Sequence, residues 1–474
     1  MSKFRLFIEN FLVYGFGSVI SKVIPLVMLP VITRLMPDPA YYGLFDLSTT
    51  VTSFGMAIAI LGMYDAMFRY FFEKEDEAYR RDICSTAFIF TLGTSVAVFF
   101  LMLLFKEELA VWVFADEKYG ILVYLTAIAT LLGATNGIIS APTRMQNKRK
   151  VFLVTNTLSP IIGYAVSIPL LLQGHYLIAL PLAGIVSSLL LEIAFAYMNR
   201  NFFSFKRFHG AYLWNMLKLA VPLAPTFLVY WVFNSADRLM ISNMLGVQAN
   251  GIYSIGSKLG MASQFIYQAF AGGWQYFAFS TMKEENQVAS NSKVFEYLGL
   301  VSFASCMFIC AISKDFYELL FTGDYVAGFI VSPYLFLAPL LLMLYQVISN
   351  QFLVVKKTWP GTVVLTIGAL SNIGFNFCLI PSLGVEGAGI ATLLGYVLAV
   401  TLAAIVLKRM NLLIVSLRFI AAICIMVIYF IIWRVYMVGF VLYSMATAMM
   451  GSGLIVMLYW RDVRKVIVRG HNRS

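Results

Sequence analysis

Apolar segments of about 20 residues recur from one end of the chain to the other. A helix of this length crosses the ~30 Å hydrocarbon core of a bilayer, because each residue adds about 1.5 Å. Of the 474 residues, 61% are hydrophobic and only 12% are charged, a balance that no soluble core requires. A helix also pairs its backbone polar groups within the segment, as hydrocarbon demands. The sequence therefore predicts an all-α integral membrane protein.

The hydropathy pattern predicts 14 transmembrane helices joined by short connections. No connection is long enough to hold a separate catalytic domain, so we expect the function to lie among the helices. The first apolar stretch is too long for a signal peptide and is interpreted as a retained first span. The predicted spans are 11–33, 44–66, 83–104, 120–141, 152–172, 176–198, 212–233, 251–280, 294–313, 332–354, 361–381, 386–407, 414–436 and 439–460.

The basic residues predict the orientation of these spans. Of the 34 Lys and Arg residues, 24 fall in the segments that would be cytoplasmic if the N-terminus is, and 5 fall in the opposite segments. This bias is typical of cytoplasmic loops, so both termini are predicted to be cytoplasmic. The net charge of +11 then reflects membrane topology, and the scattered basic residues argue against nucleic-acid binding.

A weak internal repeat divides the chain. Gly251 lies 208 residues after Gly43, and Arg238 lies 204 residues after Arg34, each within a similar local sequence. Six spans per copy give both copies the same orientation, so the predicted symmetry is a pseudo-two-fold axis along the membrane normal. We expect two six-helix lobes around a central cavity, with alternating access, plus two extra C-terminal helices. The alternative is chance recurrence of Gly and Pro, which are common in membrane helices. The predicted parts are 1–208, 209–411 and 412–474.

Three lysines inside predicted spans are candidates for the lining of that cavity. Lys22 lies near the middle of span 1, too deep for its side chain to reach the interface, so it should face water or an anion. Lys218 and Lys258 lie nearer the ends of spans 7 and 8, where an interfacial role is the alternative. Together with Arg34 and Arg238 at the outer mouth, they predict an electropositive site suited to a pyrophosphate.

Acidic residues within or beside the spans are candidates for coupling transport to an ion. Asp46, Asp237 and Glu192 lie closest to hydrocarbon, where a carboxylate can bind a proton or Na⁺ as the protein changes state. Asp46 is the first candidate, although the sequence equally allows it to be a charge partner of Arg34 or Lys22.

A second charged pair lies at the inner end of span 2. Arg69 is a further candidate for binding the substrate, and Asp65 is a further candidate for ion coupling. Because they are four residues apart on one helix, a simple intrahelical ion pair is the favoured alternative.

The five cysteines give no indication of a metal site or of a structural disulfide. Cys306 and Cys310 share a helix face, but no histidine lies nearby, so we interpret them as packing residues. No cofactor is expected.

Several segments together resemble the bacterial oligosaccharide flippases of the Wzx type, within the superfamily of multidrug, oligosaccharidyl-lipid and polysaccharide exporters. The resemblance implies transport of an undecaprenyl-pyrophosphate-linked oligosaccharide, an O-antigen or capsule unit, to the outer leaflet of the bacterial inner membrane. It also implies H⁺ or Na⁺ coupling and, as partners, membrane lipids, a polysaccharide polymerase and glycosyltransferases. The segments are Gly15-Phe16-Gly17-Ser18, Pro25 to Pro30, Arg34, Tyr42-Gly43-Leu44-Phe45, Gly62 through Arg69-Tyr70-Phe71-Phe72-Glu73, Ala236-Asp237-Arg238 and Gly251-Ile252-Tyr253.

Two other functions remain open at this point. A cation-coupled multidrug antiporter of the same superfamily would have the same lobes, but a lysine-lined cavity has the wrong sign for organic cations. An enzyme acting on the same lipid carrier, such as a polymerase or ligase, would need a large outer loop with paired carboxylates or a histidine base. His175 is the only histidine on that side, so we predict a transporter and not an enzyme.

Overall fold

The structure is a computed structural model that describes residues 23–260, 284–357, 359–462 and 464, with a few positions between 262 and 282. These residues form helices and contain no strand, which confirms the all-α class. The helices are α1 (Val23–Leu35), α2 (Pro39–Ile60), α3 (Met63–Phe71), α4 (Glu77–Leu104), α5 (Lys106–Phe114), α6 (Gly120–Met145), α7 (Arg149–Leu172), α8 (Tyr176–Met198), α9 (Gly210–Ala220), α10 (Ala224–Leu245), α11 (Val247–Gly260), α12 (Gln287–Leu320), α13 (Ser332–Val354), α14 (Trp359–Leu383), α15 (Val385–Arg409), α16 (Leu417–Ile432) and α17 (Val441–Leu458).

Eleven segments of the described chain are helical, long and apolar enough to cross a membrane. Each coincides with one of the predicted spans. The other three predicted spans overlap α1, α9 with α10, and α11. Of these, span 1 begins and span 8 ends in residues outside the described part. The chain is therefore a multi-pass membrane protein, and the count of 14 stays a prediction.

The second predicted span begins and ends at clear local signals. Asp38 caps α2 by accepting a hydrogen bond from the Ala40 N–H, and Pro39 occupies the first turn, where its missing N–H costs nothing. At the other end, Leu61 and Gly62 both have positive φ angles, 47° and 72°, so the helix cannot continue and α3 begins in a new direction.

The seventh predicted span is interrupted near its middle. A short 3-10 turn over Val221–Leu223 separates α9 from α10. Pro222 lies in this turn, and because proline has no N–H and crowds the preceding turn, a regular α-helix is not maintained there. The break is the kind of kink that proline in a span predicts.

The chain divides into two compact units, Met1–Gly251 and Ile252–Ser474. In the first unit α2 packs against α4, α6, α8 and α10, and a buried apolar cluster joins α3, α4, α6 and α9. In the second unit α12 packs against α13, α16 and α17, and α15 packs against α13 and α14. The three-part division at 208 and 411 stays a prediction.

The connection from α8 to α9 is tied to the start of α4. Ser85 donates a hydrogen bond to the Phe202 carbonyl and accepts one from the Ser204 N–H, at 3.0 and 3.1 Å. Arg207 forms an ion pair with Asp82 at 2.8 Å. These contacts fix the point from which α9 and α10 begin.

Two buried glutamates attach the last two helices to the second unit. Glu296 on α12 accepts hydrogen bonds from the Ser416 N–H, at 2.6 Å, and from the Tyr459 hydroxyl, at 2.9 Å. Glu386, in the first turn of α15, accepts hydrogen bonds from the Nε and Nη2 atoms of Arg434, one on each carboxylate oxygen. This bidentate form is the strongest type of carboxylate contact. The C-terminal pair is thus held near both ends.

The predicted orientation can be checked with two exposed lysines. In a variant without native cysteines, Lys118→Cys is expected to react with an impermeant thiol reagent in intact cells, because Lys118 is exposed and lies in a connection that is predicted to face outward. Lys148→Cys should react only after the cells are permeabilised. Labelling of Lys148→Cys from outside would contradict the orientation, and labelling of both after permeabilisation controls for access.

Candidate functional site

A buried ion pair joins α2 to α10. The Nε atom of Arg238 lies 2.8 Å from Oδ2 of Asp46, and the two side chains are only 7% and 5% exposed. Each charge costs several kcal/mol to take out of water, so the pair is stable only because its members lie together. The sequence allowed Arg34 or Lys22 as the partner of Asp46, and the structure shows Arg238 in that role.

The Arg238 guanidinium also contacts residues of its own helix, α10. Its Nη1 atom lies 3.7 Å from Oδ1 of Asp237 and donates a hydrogen bond to the Asn234 carbonyl. Asp237 is also buried, at 4% exposed. Arg238 therefore holds two of the predicted ion-coupling residues, and in this conformation its charge is already matched by carboxylates.

A tryptophan extends the contact between α2 and α10 toward the middle of both helices. The indole N–H of Trp231 donates hydrogen bonds to the Thr50 carbonyl, at 3.3 Å, and to the Ser53 hydroxyl, at 3.1 Å. Its ring also packs on Phe54, with 4.7 Å between the centroids. Because Trp231 lies two helical turns before Arg238, the two side chains follow one face of α10.

Two glycines bring the backbones of α2 and α11 into direct contact. A Cβ atom at Gly43 would overlap the Val247 carbonyl oxygen, and one at Gly251 would overlap the Pro39 carbonyl oxygen. The Asn250 side-chain amide also donates a hydrogen bond to the Gly43 carbonyl, at 3.0 Å. No residue larger than glycine fits either position without a shift of the helices.

This glycine contact has a two-fold form. In the repeat register, Gly43 is paired with Gly251 and Pro39 is paired with Val247. Gly43 contacts Val247, and Gly251 contacts Pro39, so the same contact occurs twice with the two copies exchanged. A reciprocal contact of this kind is what a two-fold axis produces. Because α2 and α11 are predicted to run in the same direction across the membrane, an axis along the normal would relate them.

Arg34 and Lys218, two further sequence-predicted cations of the first unit, do not join this cluster among the described residues. Arg34 is exposed at the end of α1, Lys258 is half-buried in α11, and the Lys218 ammonium lies 5.6 Å from the centre of the Trp214 ring. Lys22 lies outside the described residues. A lysine above an indole near a helix end fits an interfacial position.

Asp65 and Arg69, the charged residues at the inner end of predicted span 2, do not form an ion pair with each other. Asp65 and Arg69 are both exposed on α3, and no ion pair within 4 Å joins them among the described residues. The favoured interpretation as an intrahelical pair is not what the structure shows.

Sequence reasoning missed the role of the two glycines and of Trp231. In the sequence, Gly43 and Gly251 indicate only the internal repeat. The structure shows that each of them contacts the backbone of the other helix, α11 or α2. A signal was present, because a glycine at the same register of both copies indicates a close approach of backbones as readily as a turn.

The fold is similar to that of solved membrane transporters. The structure is similar to the lipid II flippase MurJ in an inward closed conformation, with a TM-score of 0.66 and 16% identity over 95% of this chain and 99% of that one. It is also similar to a multidrug resistance MATE family transporter of the MOP superfamily, with a TM-score of 0.63 and 13% identity over 83% and 98%. A MOP superfamily transporter from Pyrococcus furiosus matches with a TM-score of 0.60 and 14% identity over 86% and 95%. At these identities the likeness establishes the fold alone.

The family follows from the sequence match. A family model described as "Polysaccharide biosynthesis protein" matches residues 31–328, more than half of the chain. The chain therefore belongs to this family of polysaccharide biosynthesis proteins. No curated protein sequence matches it.

Proposed function

We propose that this protein is a flippase that moves an undecaprenyl-pyrophosphate-linked oligosaccharide from the cytoplasmic to the outer leaflet of the bacterial inner membrane. The observation that supports it most is the combination of a polysaccharide biosynthesis family with the fold of a lipid II flippase along 95% of the chain. One description names a polysaccharide and the other names a lipid that is flipped, and a lipid-linked oligosaccharide combines the two.

In this proposal, basic side chains bind the pyrophosphate of the substrate. Lys22, Lys218 and Lys258 would bind the pyrophosphate in a central cavity, with Arg34 and Arg69 near its mouths, because lysine binds phosphate as a point charge and arginine as a fork. In this proposal Arg238 takes part only after it leaves Asp46, since the pair occupies the guanidinium here.

Alternating access would use the contact between α2, α10 and α11. By the predicted orientation this contact lies toward the outer face, where it would close the outer side while the cytoplasmic side loads the substrate. Release to the outer leaflet would then require separation of Asp46 from Arg238 and of Gly43 from Gly251. The two extra C-terminal helices are fixed to α12 and α15 by Glu296 and Glu386, and they would move together with those helices.

Substitution of Lys22 tests the cargo. Lys22→Glu is expected to abolish delivery of glycan to the cell surface while the lipid-linked precursor accumulates on the inner leaflet. Lys22→Ala removes one charge-assisted contact, worth roughly 1.5–3 kcal/mol, and should weaken binding by about one to two powers of ten. Lys22→Arg should be tolerated better than either. Surface glycan and inner-leaflet precursor are measured together in cells that depend on the protein.

Lys118→Glu is the matched control, because Lys118 is exposed in a connection between helices. It should leave delivery unchanged. Normal delivery by Lys22→Glu would remove Lys22 from the site and with it the basis for an electropositive cavity. Export of organic cations by Lys22→Glu would instead favour a multidrug antiporter, the function named for one structural relative.

A further inference from the structure

Exposed polar side chains lie at the middle of two neighbouring helices of the first unit. Thr49 lies at the midpoint of α2, a candidate membrane span, and Asn234 lies at the midpoint of α10, which forms part of predicted span 7. Both side chains are exposed, and so is Ser53, one turn after Thr49. Hydrogen-bonding groups are unfavourable against lipid at this depth, so these side chains must face water or a polar ligand.

These side chains lie on one flank of the contact between α2 and α10. The helices run antiparallel, because the buried ion pair joins a late residue of α10 to an early residue of α2, whereas Trp231, earlier on α10, contacts Ser53, later on α2. At about 100° per residue, Thr49 and Asn234 are each about 60° from the contact line of their helix. In antiparallel helices these two offsets point to the same side. The helices therefore share one exposed surface, here termed the polar strip, which consists of Thr49, Ser53, Trp231 and Asn234.

The polar strip can both accept and donate hydrogen bonds. The Thr49 hydroxyl donates its hydrogen to the Asp46 backbone carbonyl at 2.8 Å, which leaves its oxygen as an acceptor. Asn234 donates one amide hydrogen to the Tyr230 carbonyl at 2.6 Å, so a second N–H and the side-chain oxygen can contact a ligand. The half-buried ring of Trp231 adds an apolar surface beside these groups.

A neutral, hydroxyl-rich ligand fits this surface better than the other parts of a lipid-linked substrate or an organic cation. An acyl chain cannot use the hydrogen-bonding groups. A phosphate requires an available cation, and Arg238, at the end of the strip, is buried and paired with Asp46. An organic cation requires an available carboxylate, but Asp46 and Asp237 are buried beside Arg238. A saccharide has hydroxyl groups that donate and accept, and C–H faces that pack on aromatic rings.

We propose that the polar strip binds the saccharide portion of the substrate, with Asn234 and Thr49 as specificity-determining residues. This inference rests on the proposed function. Asn234 exchanges hydrogen bonds with sugar hydroxyls, Thr49 accepts one, and Trp231 packs on a sugar ring. The strip is one surface only while α2 and α10 are in contact. Separation of the buried ion pair in the proposed cycle would therefore divide the strip and release the saccharide.

Equilibrium binding to the full protein in lipid nanodiscs tests this proposal with two probes. The first is undecaprenyl pyrophosphate that carries a neutral trisaccharide, and the second is undecaprenyl pyrophosphate alone. The unaltered protein should bind the first probe more tightly. Asn234→Ala should weaken binding of the first probe by about 3–10-fold, as expected for lost hydrogen bonds, and leave the second unchanged. Thr49→Val, which keeps the shape of the side chain, should weaken the first probe by about 2–5-fold.

Asn243→Ala is the matched control. Asn243 is also exposed on α10, but it lies about half a turn around the helix from Asn234, and its side-chain amide donates to the Trp112 carbonyl at 3.0 Å. This variant should bind both probes as the unaltered protein does.

The two probes separate a saccharide site from a general defect, because a damaged fold would weaken both. Equal weakening of both probes by Asn234→Ala, or no weakening of the first, would overturn the inference. If the unaltered protein binds both probes equally, the saccharide site fails and a flippase that binds only the pyrophosphate stands. If it binds neither probe, the proposed function fails and the saccharide site fails with it.

Discussion

Arg238→Ala is expected to lower the free energy of unfolding by about 3–5 kcal/mol. The reason is that Asp46 would remain buried without a cation, and an uncompensated buried charge is far more costly than an absent pair. Thermal unfolding of the purified protein in detergent, followed by tryptophan fluorescence, measures the loss. The double variant Asp46→Asn with Arg238→Ala should recover part of it, because no lone carboxylate remains at that position.

Arg81→Ala is the matched control for this prediction. Arg81 forms an ion pair with Glu77 at 3.1 Å, but both side chains are exposed, and a surface pair of this kind contributes about 0–1 kcal/mol. An Arg238→Ala protein as stable as Arg81→Ala would mean that the buried pair contributes little to the stability of the fold.

Gly43→Val is expected to force α2 and α11 apart. Its side chain would occupy the position of the Val247 carbonyl oxygen, and backbone cannot move aside as a flexible side chain can. Overpacking of this type typically costs about 1–3 kcal/mol and shifts the backbone. We expect a lower unfolding temperature together with loss of glycan delivery, measured on purified protein and in cells respectively.

Because the contact is reciprocal, a second substitution tests the same prediction. Gly251→Val should have an effect of the same sign and similar size, because Gly251 faces the Pro39 carbonyl oxygen in the same manner. Gly93→Val on α4 serves as the control, since a Cβ at Gly93 would meet no atom within 4 Å. Equal effects at Gly43 and Gly93 would show that glycine is not required for the close approach.

The spans could be predicted from the sequence because each depends on local composition. An apolar stretch such as Tyr176–Met198 must be helical in hydrocarbon, whatever surrounds it, and the structure gives the same bounds as the hydropathy pattern. The predicted bounds of span 2 are less accurate, because the helix begins at the Asp38 cap and ends at the positive φ angles of Leu61 and Gly62.

The candidate site could be predicted only in part. The sequence indicated that Asp46 and Arg238 are unusual, since charges in spans are costly, but their pairing depends on how α2 packs against α10. Arg34 and Arg238 occupy the same place in the repeat, and one is exposed while the other is buried. Two residues at equivalent positions of the predicted repeat can therefore have different surroundings.

The glycine contact has a consequence for how the two copies of the predicted repeat can diverge. In a homodimer, both sides of a two-fold contact have one sequence, so a charge added on one side is added on the other. A single chain removes this restriction. In the register that pairs Gly43 with Gly251, Asp46 has Ser254 as its counterpart, so the acidic group is present once. In the predicted repeat, the glycine contact would keep the backbone geometry of a symmetric dimer while the side chains specialise. Mirrored substitutions should then agree at the glycines and differ at Asp46 and Ser254.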